Sequence, residues 1–291
     1  MSIAGTCKLC RRDGVALRKS HVIPNFVIQW MRDSSVGFLR DGTNADRRIQ
    51  DGPKFPWLCD DCEQRLSAWE NPFAEKVFSY VHKTSEKQEP IPYGPWALKF
   101  AVSISWRALL FSKQQPDYDL TAENAAAAGR AQERWRRFLL DEEPHPGPFE
   151  QHVLCVDAPL SASGPISPFM SRYLTRAIGL DLPTSPTSCL TYAKLCRVII
   201  FGFVRESEPR KWRGTKLHVN KGLIGGMAHV PGAILHYLNE KASEVGAAVA
   251  GMSPRQSGKV ADVIRNADPE KLLASEAFRA IASDFALRRG E

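Results

Sequence analysis

Two C-x-x-C pairs constrain this chain more than any other feature of its 291 residues. Cys7 and Cys10 form the first pair, and Cys59 and Cys62 form the second. Each pair places two thiolates on one turn, so two pairs supply the four sulfur ligands of a closed, tetrahedral zinc site. A thioredoxin-like redox role would need only one pair, close to a βαβ pattern that this region lacks. The spacing therefore predicts one structural Zn²⁺ ion.

The other three cysteines have a different setting. Cys155, Cys189 and Cys196 occur singly, in apolar or strand-like segments. An isolated free cysteine packs as a small hydrophobic side chain. We expect these three in the core rather than in a disulfide framework.

Charge and composition limit the partners. The formal net charge is +7 and hydrophobic residues make up 43% of the chain, which favours a folded protein with a polyanionic partner such as nucleic acid. No segment approaches the roughly 18 apolar residues of a membrane span, and the first residues lack the apolar region of a secretory signal. We expect a cytoplasmic protein without a membrane partner. No P-loop and no G-x-S-x-G motif supports nucleotide hydrolysis or α/β-hydrolase chemistry.

The organisation along the chain predicts an α+β fold. A proline-rich connector at 86–95 divides it into an N-terminal module, 1–85, and an α+β domain of unknown role, 86–291. Apolar periodicity and capping residues predict helices at 61–70, 72–84, 96–111, 121–140, 231–245, 254–266 and 275–288. β-branched and aromatic runs predict antiparallel strands at 151–156, 192–204 and 212–219, with a turn at Gly222, Gly225 and Gly226.

The residues around the cysteine pairs carry a family resemblance. LRKSHVIP occupies 17–24 and LCDDCE occupies 58–63. Together with the cysteine pairs they resemble the zinc-bearing HNH endonucleases, and more closely a group of uncharacterised prokaryotic proteins with SHIIP and LLCxxCEQxLSxxE signatures. The resemblance covers residues 7–70. It implies a ββα-metal module in which His21 is the general base and Glu63 is a ligand of a catalytic Mg²⁺ or Mn²⁺ ion.

Two positions depart from the family pattern. Ser20 stands where the family has a metal-binding Asp, and Lys54 stands where it has an Asn. The 37 residues between His21 and Cys59 form a long insert, which offers replacements such as Asp41, Asn44 and Asp46. The chemistry is then altered, or the chain is a non-catalytic zinc module that binds nucleic acid or a partner protein. In a third interpretation the zinc module only caps the C-terminal domain, and that domain carries the function.

Each candidate site residue also has an ordinary structural interpretation. His21 could bind a backbone carbonyl beside the zinc site, and Glu63 could stabilise the dipole of its helix. Glu70, seven residues after Glu63, could be a second carboxylate ligand or a solvated acid.

Basic residues surround the zinc module and predict contacts with DNA phosphates. They are Arg11, Arg12, Arg18, Lys19, Arg47, Arg48 and Lys54. A protein of this kind would fit defence against foreign DNA, as the family resemblance suggests. A second basic cluster surrounds Trp212. This tryptophan could stack on a base, although a tryptophan in a strand more often packs in the core. That cluster comprises Arg205, Arg210, Lys211, Arg213, Lys216 and Lys221.

Overall fold

The structure, a computed structural model, describes residues 3–83, 89–159 and 164–289. It is a mixed α+β fold with small antiparallel sheets, as the sequence predicts. The strands are β1 (Ile3–Gly5), β2 (Val15–His21), β3 (Lys54–Cys59), β4 (Ile91–Tyr93), β5 (Gln151–Cys155), β6 (Ile178–Asp181), β7 (Ser188–Leu195), β8 (Val198–Glu206) and β9 (Gly222–Ile224). The helices are α1 (Asn25–Asp33), α2 (Asp60–Phe73), α3 (Ser79–Lys83), α4 (Pro95–Ser112), α5 (Ala122–Leu139), α6 (Met170–Arg176), α7 (Gly232–Ala250), α8 (Pro254–Arg265), α9 (Pro269–Ala274) and α10 (Glu276–Arg289).

The N-terminal part is a three-stranded antiparallel sheet followed by a helix. The strand order is β1-β2-β3, and His21 at the end of β2 pairs with Lys54 at the start of β3. Helix α2 begins at the residue after β3, and the long insert between β2 and β3 carries α1. The order β2, β3, α2 therefore places residues of both strands beside the first turns of α2.

Helix α4 lies at the centre of the protein. Most of its side chains are buried, as expected for a helix that is apolar on every side. It packs against α2 and α5, and against the four-stranded sheet of order β5-β8-β7-β6. This one helix therefore connects the zinc module to the second sheet.

The four-stranded sheet is covered on both faces. Along β8, Val198, Ile200 and Val204 belong to the core shared with α4, whereas Ile199 and Phe201 belong to a second core. This alternation is the two-residue period of a strand. The second core also contains residues of α6 and α7, so the sheet lies between α4 on one face and α6 with α7 on the other.

Gly202 permits the close approach of α4 to this sheet. A Cβ atom at Gly202 would lie 2.5 Å from the Ser105 hydroxyl oxygen and 2.5 Å from the Thr191 hydroxyl oxygen. Only a residue without a side chain fits between these two elements. The glycine therefore sets the distance between helix and sheet.

One continuous hydrophobic core includes residues from both sides of the expected boundary near residue 86. It contains Leu66 and Val77 of the N-terminal part as well as Leu98 and Val198 of the remainder. Residues 86–88 of the connector lie outside the described residues, and Ile91–Tyr93 pairs with Gly222–Ile224 as a two-stranded sheet. The division into 1–85 and 86–291 stays a prediction.

The two separate helices expected at 61–70 and 72–84 are instead one continuous helical path. Helix α2 runs through Pro72 to Phe73, continues as a π-helical turn over Ala74–Phe78 and leads directly into α3. Phe73 and Val77 are buried, so packing holds the helical path even though proline removes one backbone donor. The π turn begins two residues after the proline, a local widening of the kind that irregular helices adopt.

The strand expected at 212–219 is also wrong. This segment makes only isolated bridges, such as His152 with Lys216. Gly214 has a φ of 73°, and its backbone closely approaches Met227, which breaks the extended path. Trp212 is 5% exposed within the second core, which confirms its role in packing and excludes stacking on a base.

The glycine turn and the C-terminal helices agree with the sequence in part. Gly225 and Gly226 have left-handed backbones and form a turn, whereas Gly222 lies in β9. The helices expected at 231–245, 254–266 and 275–288 correspond to α7, α8 and α10. The short helix α9 was not expected.

Candidate functional site

The four cysteines of the two C-x-x-C pairs form a compact cluster. All four sulfur atoms lie within 4.8 Å of one another, and Cys10 Sγ lies 3.8 Å from Cys59 Sγ. A regular tetrahedron with Zn–S distances of about 2.3 Å has sulfur–sulfur edges of about 3.8 Å. Donor type and spacing therefore fit a single tetrahedral ion, and the cluster could hold a metal such as zinc.

Backbone hydrogen bonds build the first half of this cluster. The Cys7 N–H donates to Arg12 O at 2.9 Å, and the Arg11 N–H donates to Cys7 O at 2.9 Å. Arg11 adopts a left-handed φ of 63°, which closes the turn. The Lys8 N–H donates to Trp57 O at 2.7 Å and joins this turn to β3. The tight turn thus directs the Cys7 and Cys10 thiols toward the second pair.

The second half of the cluster comes from the start of α2. Cys59 is the N-cap residue of the helix, and Cys62 lies in its first turn. The unpaired N–H groups and the dipole at a helix N-terminus favour negative charge. The position therefore suits thiolate ligands.

Hydrogen bonds redistribute protons among these thiols. The pKa of Cys7 is lowered to about 4, first because Cys62 hydrogen-bonds to its sulfur and also because the Cys59 backbone donates to it. The pKa of Cys62 is raised in turn by the same bond to Cys7 and by burial. Thiolate is the form in which a cysteine binds a metal ion.

Arg12 places a positive charge beside two of the sulfur atoms. Its guanidinium donates to Cys10 Sγ at 3.4 Å and to Cys59 Sγ at 3.2 Å. The bonds to Cys10, Asp61 and Cys59 raise the pKa of Arg12. The arginine offsets the excess negative charge that four thiolates would place around a divalent ion.

The β2–β3–α2 unit brings Ser20 and Glu63 together. Ser20 is fully buried near the end of β2 and its hydroxyl donates to Glu63 Oε2 at 2.6 Å. Glu63 lies in the first turn of α2 and is half-buried. These are the two positions at which the family resemblance implies metal ligands, and the fold makes them neighbours.

His21 has a different partner. Its Nε2 atom lies 2.9 Å from Asp51 Oδ1, and its side chain is 21% exposed. Lys54 Nζ lies 2.5 Å from Asp51 Oδ2. Burial acts to raise the pKa of Asp51, but hydrogen bonds from Lys54 and His21 overcome it and lower the pKa to about 2. Asp51 is therefore a carboxylate at neutral pH, and within the described residues His21 makes no hydrogen bond to Glu63.

Sequence reasoning did not identify Asp51. It named Asp41, Asn44 and Asp46 of the same insert, but Asp41 binds the backbone and side chain of Thr43. The Asn44 side chain accepts from the Asp46 backbone, and the Asp46 carboxylate accepts from Ser253 at the start of α8. Asp51 lies three residues before β3, and the pairing of His21 with Lys54 brings it beside the histidine, a long-range contact that no sequence motif marks.

A buried ion pair between α4 and α2 is hydrogen-bonded to the backbone at the end of β2. Arg107 of α4 is 3% exposed; it donates to Glu70 Oε1 at 2.7 Å and to His21 O at 2.9 Å. Glu70 is therefore committed to Arg107 rather than being a solvated acid. The pair fixes α2, α4 and the backbone of His21 relative to one another.

Most of the basic residues expected to contact DNA have a carboxylate within 4.0 Å. The pairs are Arg11–Glu133, Arg12–Asp61, Arg18–Asp60, Arg47–Asp41 and Lys54–Asp51. Lys19 and Arg48 are exposed and make no ion pair within the described ranges, although Arg48 covers the Phe38 ring at 3.9 Å. A bulge in β2 between Arg18 and Lys19 leaves both side chains in solvent.

The second basic cluster is partly neutralised in the same way. Arg205 pairs with Glu123, Lys211 with Glu208, and Lys216 with Glu150. This region therefore offers less free positive charge than its sequence suggests.

Cys189 and Cys196 are fully buried and Cys155 is half-buried, which confirms their packing role.

Comparisons with models of known protein families, with curated proteins and with solved structures gave no match. None of the described helices is both long and apolar enough to cross a membrane.

Proposed function

We propose that this protein is an HNH-like nuclease that hydrolyses DNA phosphodiester bonds with a divalent metal ion, Mg²⁺ or Mn²⁺. A structural Zn²⁺ ion on the four cysteines would hold the module together. The observation that carries the proposal is the pair His21–Asp51, with 2.9 Å between Nε2 and Oδ1. A histidine with a purely structural role beside the zinc site would be expected to bind a backbone carbonyl instead.

The pairing with Asp51 selects one tautomer of a neutral His21. Asp51 is ionised and accepts, so Nε2 of a neutral His21 carries the hydrogen and Nδ1 is left with its lone pair. Nδ1 is the atom that would take a proton from the attacking water. The Asp51 carboxylate then stabilises the imidazolium that forms. Asp51 is thus a positioning residue that acts through His21.

Glu63 offers the type of donor that a weakly held Mg²⁺ or Mn²⁺ ion takes. Such ions are usually bound by one or two carboxylates, with waters and substrate phosphates completing the shell. Glu63 would supply the carboxylate and the Ser20 hydroxyl would hold it in place, since the two are 2.6 Å apart. The bound ion would stabilise the negative charge that develops on the phosphate.

The exposed basic residues would position the DNA backbone. Lys19 and Arg48 are free of ion pairs among the described residues, and Lys19 lies two residues from His21 on β2. Contacts of this kind fix register without reading sequence. A role in defence against foreign DNA would suit a nuclease with little sequence preference.

The test is cleavage of supercoiled plasmid by zinc-loaded protein with Mg²⁺ or Mn²⁺, compared with the His21→Ala variant. We expect nicking by the wild type and its loss in His21→Ala, with Cys155→Ser as a control that keeps activity. Cleavage that His21→Ala retains would place the active site elsewhere.

A second candidate function has its own supporting observation. The Ser20 hydroxyl is fully buried and committed to Glu63, so a single carboxylate serves the metal position. A non-catalytic zinc module that binds nucleic acid or a partner protein would need no further metal ligand at this position. DNA binding by wild type and His21→Ala alike, without cleavage by either, would favour this function.

A further inference from the structure

Phe38 is an exposed aromatic residue in the long insert between β2 and β3. It is 60% exposed, whereas the next residue, Leu39, packs against the core shared with α4. The fold therefore gains little burial free energy from the Phe38 ring. A single exposed apolar side chain is common on a protein surface, but this one has a cation stacked on it.

Arg48 lies over the ring of Phe38. Its guanidinium carbon is 3.9 Å from the ring centroid, and within the described residues its side chain makes no ion pair and no hydrogen bond. A guanidinium stacked on an aromatic face keeps its N–H groups free to bind a phosphate. Because Phe38 stays 60% exposed with Arg48 on one side, its other side is accessible to a second flat group.

Backbone hydrogen bonds hold the loop that carries this pair. Arg40 and Arg48 form an antiparallel bridge, and the Ile49 N–H donates to Leu39 O at 2.9 Å. These contacts join the two ends of the loop and place Arg48 beside Phe38 at its base. A pair that is positioned before binding loses less conformational freedom when a ligand arrives.

Helix α8 contacts the same loop. Its N-cap residue, Ser253, donates from the backbone N–H and from the hydroxyl to Asp46 Oδ1, at 2.9 and 3.1 Å. Arg255 and Lys259 follow in the first two turns of α8, both exposed and without an ion pair in the described part of the chain. The loop is therefore supported by a helix that adds two free cations.

The loop and α8 together carry an excess of positive charge. Residues 36–50 contain three arginines and two aspartates, and α8 contains three cations and one aspartate. The net charge of the two elements is thus +3. An exposed aromatic ring among cations is the combination with which proteins bind single-stranded nucleic acid, where cations follow the backbone and bases stack on rings.

We propose that Phe38 and Arg48 form a stacking platform for an unpaired base of single-stranded DNA. Every base has a flat face, so such a platform does not depend on sequence. Within a duplex the neighbouring bases cover both faces, and Phe38 could stack only on a base that has left the helix. This inference rests on the proposed function for its ligand, DNA, and adds the form of DNA that the protein recognises.

The experiment measures binding of a fluorescein-labelled oligothymidylate of about 20 nucleotides, longer than the roughly 4–16 that one single-strand-binding fold covers. Fluorescence anisotropy is recorded with the zinc-loaded full chain, without added Mg²⁺ or Mn²⁺, so that no cleavage intervenes. We expect Phe38→Leu to weaken binding of the single strand about tenfold and to leave binding of a duplex of the same length within about twofold. Phe38→Trp should keep the affinity for the single strand.

Phe285→Leu is the matched control. Phe285 is 53% exposed and also has an arginine near its ring, with Arg288 at 5.4 Å from the centroid. This variant should bind the single strand as the wild type does. Photocrosslinking gives a second readout, since an oligothymidylate that contains 5-iododeoxyuridine should crosslink to the peptide that carries Phe38.

The outcomes separate this platform from the proposed nuclease activity. Unchanged binding of the single strand by Phe38→Leu would overturn the platform even if the wild type nicks plasmid. An equal loss on single strand and duplex, crosslinks only at other peptides, or no DNA binding by the wild type would overturn it too. Binding of the single strand that depends on Phe38, without cleavage of any DNA, would support the platform and contradict the nuclease.

Discussion

Asp51 accepts a hydrogen bond from His21 at the end of the β2–β3 hairpin where the long insert joins the two strands, with 2.9 Å between Oδ1 and Nε2. The two residues are 30 positions apart in the chain. Strand pairing of His21 with Lys54 brings them together, since Lys54 also holds Asp51. The long insert therefore places the Asp51 carboxylate beside His21, the residue that the family resemblance implies as the general base.

The cysteine cluster predicts dependence of folding on one metal ion. Cys62→Ser should reduce bound zinc from about one ion per chain and lower the thermal stability, because a structural site contributes folding free energy directly. Elemental analysis and thermal unfolding measure both effects. Cys155→Ser is the matched control and should keep both values, and equal zinc content in the two variants would contradict the ligand assignment.

The Arg107–Glu70 pair predicts a large stability effect from a residue outside the proposed chemistry. Arg107→Met should lower the free energy of unfolding by about 3 kcal/mol, because Glu70 is left without its cation in a largely buried position. Arg265→Met breaks an exposed pair with Asp262 and should cost less than about 1 kcal/mol. Denaturant unfolding compares them, and similar losses in both variants would refute the distinction.

His82 predicts a loss of stability in mild acid. Burial lowers its pKa to about 3, against an ordinary value of 6.5, and outweighs the hydrogen bond between Nδ1 and Phe78 O at 2.7 Å, which acts to raise the pKa. Nε2 accepts from the Arg197 backbone. Between these two pH values the unfolded chain binds the proton and the folded chain does not. The free energy of unfolding should therefore fall by about 1.4 kcal/mol per pH unit as the pH drops below 6.5.

A His82→Gln variant isolates this contribution. Its stability should depend less steeply on pH between about 6.5 and 4, while His236→Gln, which changes an exposed histidine, should keep the wild-type slope. Urea unfolding at several pH values measures the difference. The same slope in wild type and His82→Gln would exclude His82 as its source.

Ion pairing predicts which basic residues contact DNA. Lys19→Gln should weaken DNA binding and reduce the slope of log affinity against log salt by about 0.9, the value for one lost phosphate contact. Arg18 is already paired with Asp60 at 2.8 Å, so Arg18→Gln should have a smaller effect. Fluorescence anisotropy over a salt series gives both slopes, and a larger change in Arg18→Gln would contradict this assignment.

The sequence predicts the metal cluster better than it predicts the polar site. Cysteine spacing sets the cluster because the ligands lie on two local turns. The Asp51 and Arg107 contacts depend on the path of a long insert and on the packing of α4, which no local pattern encodes. The path through Pro72 and the irregular course at Gly214 were missed for the same reason, since tertiary packing and one close backbone approach outweighed local propensity.

The most direct test of the account compares plasmid nicking by wild type and by Asp51→Asn. Both proteins are zinc-loaded, supplied with Mn²⁺ and shown to be folded by thermal unfolding. We predict that Asp51→Asn keeps its zinc and its DNA affinity but nicks at least tenfold more slowly, because His21 loses the carboxylate that orients it and stabilises its protonated form. Equal rates in the two proteins, or no nicking by the wild type, would contradict the claim that His21 and Asp51 form the base of a nuclease.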